Sequence, residues 1–367
     1  MVKRVHKRSG ILTNAAIAEL LALEAQEAEG ILGKALRRAS RAAFLWPEEA
    51  TEVLAGKRSL TELQGIGPFI EKLILRWLEK PSAVARPPPL RRNFLSLAQA
   101  RRILKRTGFG WPRGDLQMHS TWSDGGGTIL DMAQAGRELG YEYIAITDHS
   151  KGLKIAGGID EAQLREQGLE IAAVNRQIAP LRVLHSIEMN LNPRGQGDMD
   201  RQALRELDLI VGSFHSQLRV KEDQTERYLA AIRNPDVHIL GHPRGRIYNY
   251  RIGLKADWAR VFAAAAKLDK AVEVDSYPDR QDLDIDLLKI ARDSGVKLAI
   301  DTDAHSAGQL RFIEFGLAAA ALAKFPVERI VNFMAAKELL EWVDSVRERH
   351  RVPPSRKRLR KALVRAV

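Results

Sequence analysis

Between residues 114 and 346 short β-rich runs alternate with helical stretches, and this alternation constrains the fold more than any other feature of the sequence. The runs are DLQMH (115–119), YIAIT (143–147), RVLHSIE (182–188), LDLIVGSF (207–214), VHILG (237–241), AVEVD (271–275) and KLAID (297–301). Stretches with apolar residues at helical spacing separate most of them: LDMAQAGRELG, LREQGLEIAAVNRQI, DWARVFAAAAKL and DLDIDLLKIARDS. Alternating β and α implies an α/β fold with a parallel sheet, closed as a barrel or open. In both forms the strand C-termini face one side, where active sites assemble.

The residues at those strand ends are the second constraint. His119 ends the first run, with Asp124 in the glycine-rich turn beyond it. Asp148 and His149 come after the second, Glu188 ends the third, His215 comes after the fourth and His242 after the fifth. Asp303 and His305 lie just beyond the seventh. Of nine histidines, five therefore stand at or just past strand C-termini. Any one of them alone reads as a hydrogen-bonded loop residue; the repetition points to metal. Five imidazoles with Asp124, Glu188, Asp303 and Asp148 exceed what one ion needs, since zinc usually takes three or four ligands. Two or three divalent ions, zinc or manganese, with a bridging carboxylate, are expected. Asp148 is expected to orient the His149 ring from behind rather than to ligate. His185 and His238 alternate with apolar residues inside strands and read as core; His6 and His350 read as surface.

Charge divides the chain. Net charge is +12, of which residues 1–113 carry +11, residues 347–367 carry +8, and the body between them −7. Basic flanks suit a polyanion, and acidic groups near a site suit cations. With no cysteine, disulfides and thiol catalysis are excluded, which suits a cytoplasmic protein. The N-terminus, interrupted by Glu19 and Glu24, does not read as a secretory signal. No apolar run of about 18 residues predicts a membrane span.

Residues 12–80 read as a small helical domain. Asn14 is the expected N-cap of its first helix. In SLTELQGIGPFIEK, Leu60 and Leu63 end a short helix, Gly65-Ile66-Gly67 turns, and Pro68 opens the next helix, where its missing N–H is harmless. Residues 81–112 are expected to be a Pro-rich, basic linker, helical in part, and 347–367 a basic tail.

The motifs DLQMHSTWSDG, ITDHS, Glu188, GSFHS, ILGHPRGR and IDTDAHS, in this order, resemble those of the PHP (polymerase and histidinol phosphatase) domain. The likeness is to the PHP domain of bacterial family X DNA polymerases, and it covers about 113–346. It implies a distorted seven-stranded (β/α) barrel with a trinuclear centre at the strand C-termini. On this resemblance one ion takes His119, Glu188 and Asp303; a second shares Glu188 and takes His215 and His242; a third takes Asp124, His149 and His305. The family's first motif usually reads His-x-His, and Gln117 stands at the first of these, which implies a weaker first site. Asp124 replaces a common histidine, a harder ligand that favours manganese.

Residues 12–80 resemble the N-terminal domain of the same polymerases, with LQGIGPFIEK as a helix-hairpin-helix. Gly65, Gly67 and Lys72 are then expected to meet the DNA backbone through backbone N–H groups and charge. Leu73 stands where relatives with lyase activity place a lysine, so lyase chemistry is not expected. Residues 81–112 are too short for a polymerase palm. The remaining carboxylate clusters lie inside the barrel region: Asp282, Asp284 and Asp286, expected on a helix, and Asp198 with Asp200 in a loop.

The expected chemistry is metal-dependent phosphoester hydrolysis on DNA ends in repair, as 3′-5′ exonuclease, 3′-phosphatase or abasic-site endonuclease. Its nucleophile is a water on the cluster of His119, Glu188, His215 and Asp303. Lys151, Arg244 and Arg246, in strand-end loops, are expected to grip phosphate. The rival readings are a small-molecule phosphatase of the histidinol-phosphatase type and a DNA-binding scaffold with a degenerate metal site.

Overall fold

A computed structural model describes residues 12–80 and 87–349. His6, His350 and the basic tail from 350 onward lie outside the described residues.

Seven parallel strands succeed one another around a nearly closed barrel, in the order β1 to β7. They are β1 (Gly114–Met118), β2 (Tyr143–Ile146), β3 (Arg182–Asn190), β4 (Leu209–Ser213), β5 (Ile239–Leu240), β6 (Ala271–Asp275) and β7 (Lys297–Asp301). β7 approaches β1 through a Met118–Ala304 bridge, a bond from His119 N to Ala304 O at 2.8 Å, and one from Leu116 N to Asp301 Oδ1 at 2.7 Å. The barrel form is therefore the one adopted.

The alternation of small and large apolar residues on the strands fills the barrel. Leu116, Tyr143, Ala145, Leu184, Leu209, Val211, Ile239, Ala271 and Ala299 form one buried cluster with Trp342 and Val343. The last two belong to the helix Ala336–Arg349. That helix closes the N-terminal mouth: Trp342 Nε1 donates to Asp269 O at 2.8 Å, just before β6. The opposite mouth is left to polar groups. Outward-facing Ile144, Ile146 and Val183 pack on helices such as Ile129–Glu138 and Glu161–Ile178. Ile210, Val272 and Ile300 do the same against Trp258–Lys267 and Ile285–Ser294.

Before the barrel stand α1 (Asn14–Glu27), α2 (Gly30–Ala43), α3 (Ala50–Ala55) and α4 (Pro68–Glu79). They share a buried cluster that includes Ile17, Leu36, Trp46, Leu60 and Ile74. The N-cap of α1 is Thr13, whose hydroxyl accepts from Ala16 N, and not Asn14. Asn14 is buried one position later and ties α1 to α3: its Oδ1 accepts from Ala50 N at 2.9 Å and its Nδ2 donates to Glu48 O at 2.8 Å. A capping hydroxyl was therefore available next door, and the amide serves a longer contact.

The stretch expected as linker does more than connect. Its helix α5 (Leu97–Thr107) packs on the helix Ile313–Leu322 through Ala100, Phe315 and Ala318. Arg101 pairs with Glu314 at 2.9 Å. Arg91, just before α5, pairs with Glu19 of α1 at 2.7 Å, with both side chains almost fully buried.

The carboxylates expected together on a helix are not so placed. The helix starts at Ile285 with Asp284 as its N-cap, and Asp282 precedes it. Asp282 Oδ2 accepts from Arg244 N at 2.9 Å, so it serves the loop after β5.

Candidate metal centre

His119 stands directly after the last residue of β1 and has zero exposure. The chain must then double back tightly. A Cβ added at Gly125 would lie 2.5 Å from the His119 carbonyl oxygen, an approach only glycine tolerates. Gly126 N donates to His305 O at 2.7 Å. The loop that carries Asp124 is thereby fixed to the loop that carries His305.

Glu188 is the centre of the arrangement. Its Oε1 lies 2.7 Å from His242 Nε2 and 3.3 Å from His215 Nε2. Its Oε2 lies 2.8 Å from His149 Nδ1 and 3.6 Å from His119 Nε2. His119 Nε2 is also 2.9 Å from Asp303 Oδ1. Toward solvent, Asp124 Oδ1 lies 3.5 Å from His149 Nε2 and 3.4 Å from His305 Nε2. Three groupings have ligand atoms within 4.8 Å of one another: His119, Asp124, His149 and His305; His149, Glu188 and His215; His119, Glu188 and Asp303. All the residues singled out at strand ends except Asp148 meet at one mouth. The floor is closed, with His119 and Glu188 at 0 % exposure, and the rim is open, with Asp124 at 37 %.

Electrostatics favours cations. Burial works against the charge of Glu188, but His215, His149 and His242 outweigh it and hold the carboxyl well below the usual range. Burial also opposes Asp303, and Arg280 with His119 holds it far below that range. Burial, with His149 beside it, lowers His119 and leaves a lone pair free. The hydrogen bonding fits the same group. His119 Nδ1 and both amide atoms of Gln117 are buried and make no hydrogen bond to protein. Buried polar atoms without partners are costly, and cations on a nitrogen and oxygen donor set would satisfy several of them.

Several expected site residues do other work. Asp148 does not orient His149. Its carboxylate accepts from Ser120 N at 2.8 Å, Ser120 Oγ at 2.6 Å, Ser123 Oγ at 2.5 Å and Gln167 Nε2 at 2.6 Å. It therefore pins the loop after β1. Arg246 is buried at 4 % side-chain exposure, bound to Asp284 at 3.1 Å and stacked over Phe94 at 3.8 Å. It holds the segment before α5 by donating to Arg92 O and Asn93 O; burial lowers its pKa to about 10. Arg244 pairs with the same Asp284 at 2.7 Å. Lys151 is exposed and pairs with Glu161 at 2.7 Å. Gly65 turns the chain with φ +82°, and Gly67 caps α4 ahead of Pro68. Lys72 is exposed, and Leu73 is buried in the helical cluster.

The residue that sequence reasoning missed is Arg280. Its Nη1 lies 2.9 Å from Asp303 Oδ2 and 3.6 Å from Asp275 Oδ2, and 30 % of its side chain is exposed. Burial works against its charge, but Asp303 and Asp275 raise its pKa further. The signal was available: β6 is the strand end to which no candidate ligand was assigned, and Arg280 stands beyond it in SYPDR.

A probable phosphatase from Serratia proteamaculans is 30 % identical over 242 residues, 63 % of this chain and 93 % of its own. The chain belongs to the PHP family of metal-dependent phosphoesterases. A probable phosphatase from Escherichia coli K12 is 26 % identical over 63 % of this chain and 94 % of its own. A DNA polymerase/3′-5′ exonuclease from Bacillus subtilis is 35 % identical over 254 residues, 69 % of this PHP protein. The chain spans 45 % of that polymerase's length. A zinc-containing histidinol phosphate phosphatase structure from Lactococcus lactis has TM-score 0.37 and 14 % identity, over 66 % of this chain and 95 % of its own. No family model matches the chain. Among the described residues no helix is long and apolar enough to cross a membrane.

Proposed function

We propose that this PHP protein hydrolyses phosphoesters at DNA ends, as exonuclease, 3′-phosphatase or abasic-site endonuclease, with two or three zinc or manganese ions. The observation that carries the reading is Glu188, whose two oxygens are each met by two imidazoles, as a bridging ligand requires. His119, Glu188 and Asp303 would hold one ion, Glu188 with His215 and His242 a second, and Asp124, His149 and His305 a third. Gln117 would add an amide oxygen beneath the first. Ions held there would supply positive charge against the phosphate and acidify a water toward neutral pH.

The protein's own groups do the rest. Asp303 stays ionised because Arg280 faces it, and Arg280 keeps exposed surface at the rim where a phosphate oxygen would arrive. A planar guanidinium there binds and orients the phosphate. The loop held by Asp148 keeps Asp124 in place. Lys151 and Arg244 stand in loops on the same mouth, each already paired with a carboxylate, so they would contribute charge more than direct contact. The turn at Gly65 and Gly67, with Lys72, would meet the DNA backbone. Residues 12–80 would thus form the DNA-binding unit and 113–346 the hydrolytic one, in a chain that does not polymerise.

Support for DNA comes from the 35 % identity to the Bacillus polymerase/exonuclease and from the basic flank. A small-molecule phosphatase is the second reading, favoured by phosphatase relatives matched over nearly their whole length. Incubating the protein with end-labelled DNA bearing a 3′-phosphate, a recessed 3′-hydroxyl or an abasic site separates the two. Product with manganese or zinc and none with chelator is expected. Hydrolysis of histidinol phosphate with no DNA product would establish the second reading instead.

A further inference from the structure

The loops after β4 and β5 carry a group of side chains that the chemistry above does not use. Tyr250 is 60 % exposed and Ile252 48 % exposed. The Arg219 guanidinium stacks over the Tyr250 ring at 4.6 Å. Arg251 is close enough to feel both Arg219 and Arg280: burial with these two charges lowers its pKa, and its side chain donates to Gly245 O. Among the described residues neither Arg219 nor Arg251 forms an ion pair, although Arg91, Arg101, Arg201, Arg244, Arg246 and Arg280 all do. Guanidinium groups thus run from Arg280, at the metal centre, outward to an exposed aromatic ring.

The ring is mounted rigidly. Ile247 and Arg251 exchange backbone bonds of 2.8 and 2.9 Å, and Tyr250 N donates to Ile247 O at 3.1 Å. Tyr248, two positions earlier, is buried against Phe44 and Phe94 at ring distances of 4.8 and 5.2 Å. Asn249 N donates to Leu90 O at 2.8 Å. A held aromatic face loses little freedom when a flat partner stacks on it. Base stacking on such a face beside cations is how single strands are bound without sequence preference.

We infer that Arg219, Tyr250 and Arg251 form a docking surface for single-stranded DNA, on which a base stacks on Tyr250 while its phosphates follow the arginines toward the metal centre. The inference rests on the DNA-end reading. A single strand is favoured because one isolated ring can take a splayed base, whereas a paired base offers no free face. The test uses the full chain with manganese and the variants Tyr250→Ala and Tyr250→Trp. Two substrates are compared: a short single-stranded oligonucleotide with a 3′-phosphate, and p-nitrophenyl phosphate. For Tyr250→Ala, the ratio of kcat/KM on the oligonucleotide to that on p-nitrophenyl phosphate falls about tenfold, carried by KM. Tyr250→Trp restores it. Fluorescence anisotropy of the same labelled strand in chelator weakens by a similar factor. An unaltered ratio and unaltered Kd overturn the inference and leave the DNA-end reading standing. Wild-type protein that hydrolyses p-nitrophenyl phosphate and no DNA end removes that reading, and this inference with it.

Discussion

Gln117 is the side chain whose replacement best probes the strength of the centre. It is fully buried, and neither amide atom is bonded. An imidazole of similar size is a far better ligand for zinc or manganese than an amide. Gln117→His is therefore expected to tighten metal binding by about tenfold or more, read by competition with a chromogenic chelator. Away from the centre, Lys270 is fully buried and burial lowers its pKa to about 7. Between pH 7 and the ordinary value of 10.5 the unfolded chain holds a proton that the folded chain has released. Stability then rises with pH across that window. Lys270→Met is expected to flatten the rise in urea titrations at pH 7 and 10. The convergence was legible because five of the histidines stand at or just past strand ends, and strand ends share a face. Arg246 was misread for a related reason: position in a strand-end loop does not reveal which way a long side chain turns, and Phe94 with Asp284 turns it away.

At the scale of elements, the loop after β5 is the joint between the two halves. It begins at His242, lends Arg246 and Asn249 to the segment around Arg91, and sends Tyr248 into the cluster of α1 to α4. Arg91→Ala leaves Glu19 buried without its partner, which costs about 3–5 kcal/mol. Denaturant unfolding is expected to show a loss of that size, and Arg91→Ala with Glu19→Gln a smaller one. All the strand runs were legible from β-rich composition between helices; β5, reduced to Ile239–Leu240, shows the usual uncertainty of ends. The packing of α5 was not read. Leu97, Ala100 and Leu104 have helical spacing, but arginines between them and prolines before them gave the stretch the look of a tether. Only the facing surface of Ile313–Leu322 reveals that it is part of the structure.

At the scale of the molecule, a barrel closed at one mouth by Trp342 leaves the other mouth to eight converging residues drawn from positions 119 to 305. No local segment could hold them together; the order of the strands does so. If that convergence builds a metal centre, crystals of the protein loaded with manganese will reveal it by anomalous diffraction. Two or three peaks clustered around Glu188, within reach of His119, His215 and His305, are expected. Loaded crystals with no anomalous peak at that mouth, or with manganese bound only elsewhere, would show that the converging side chains are not a metal site.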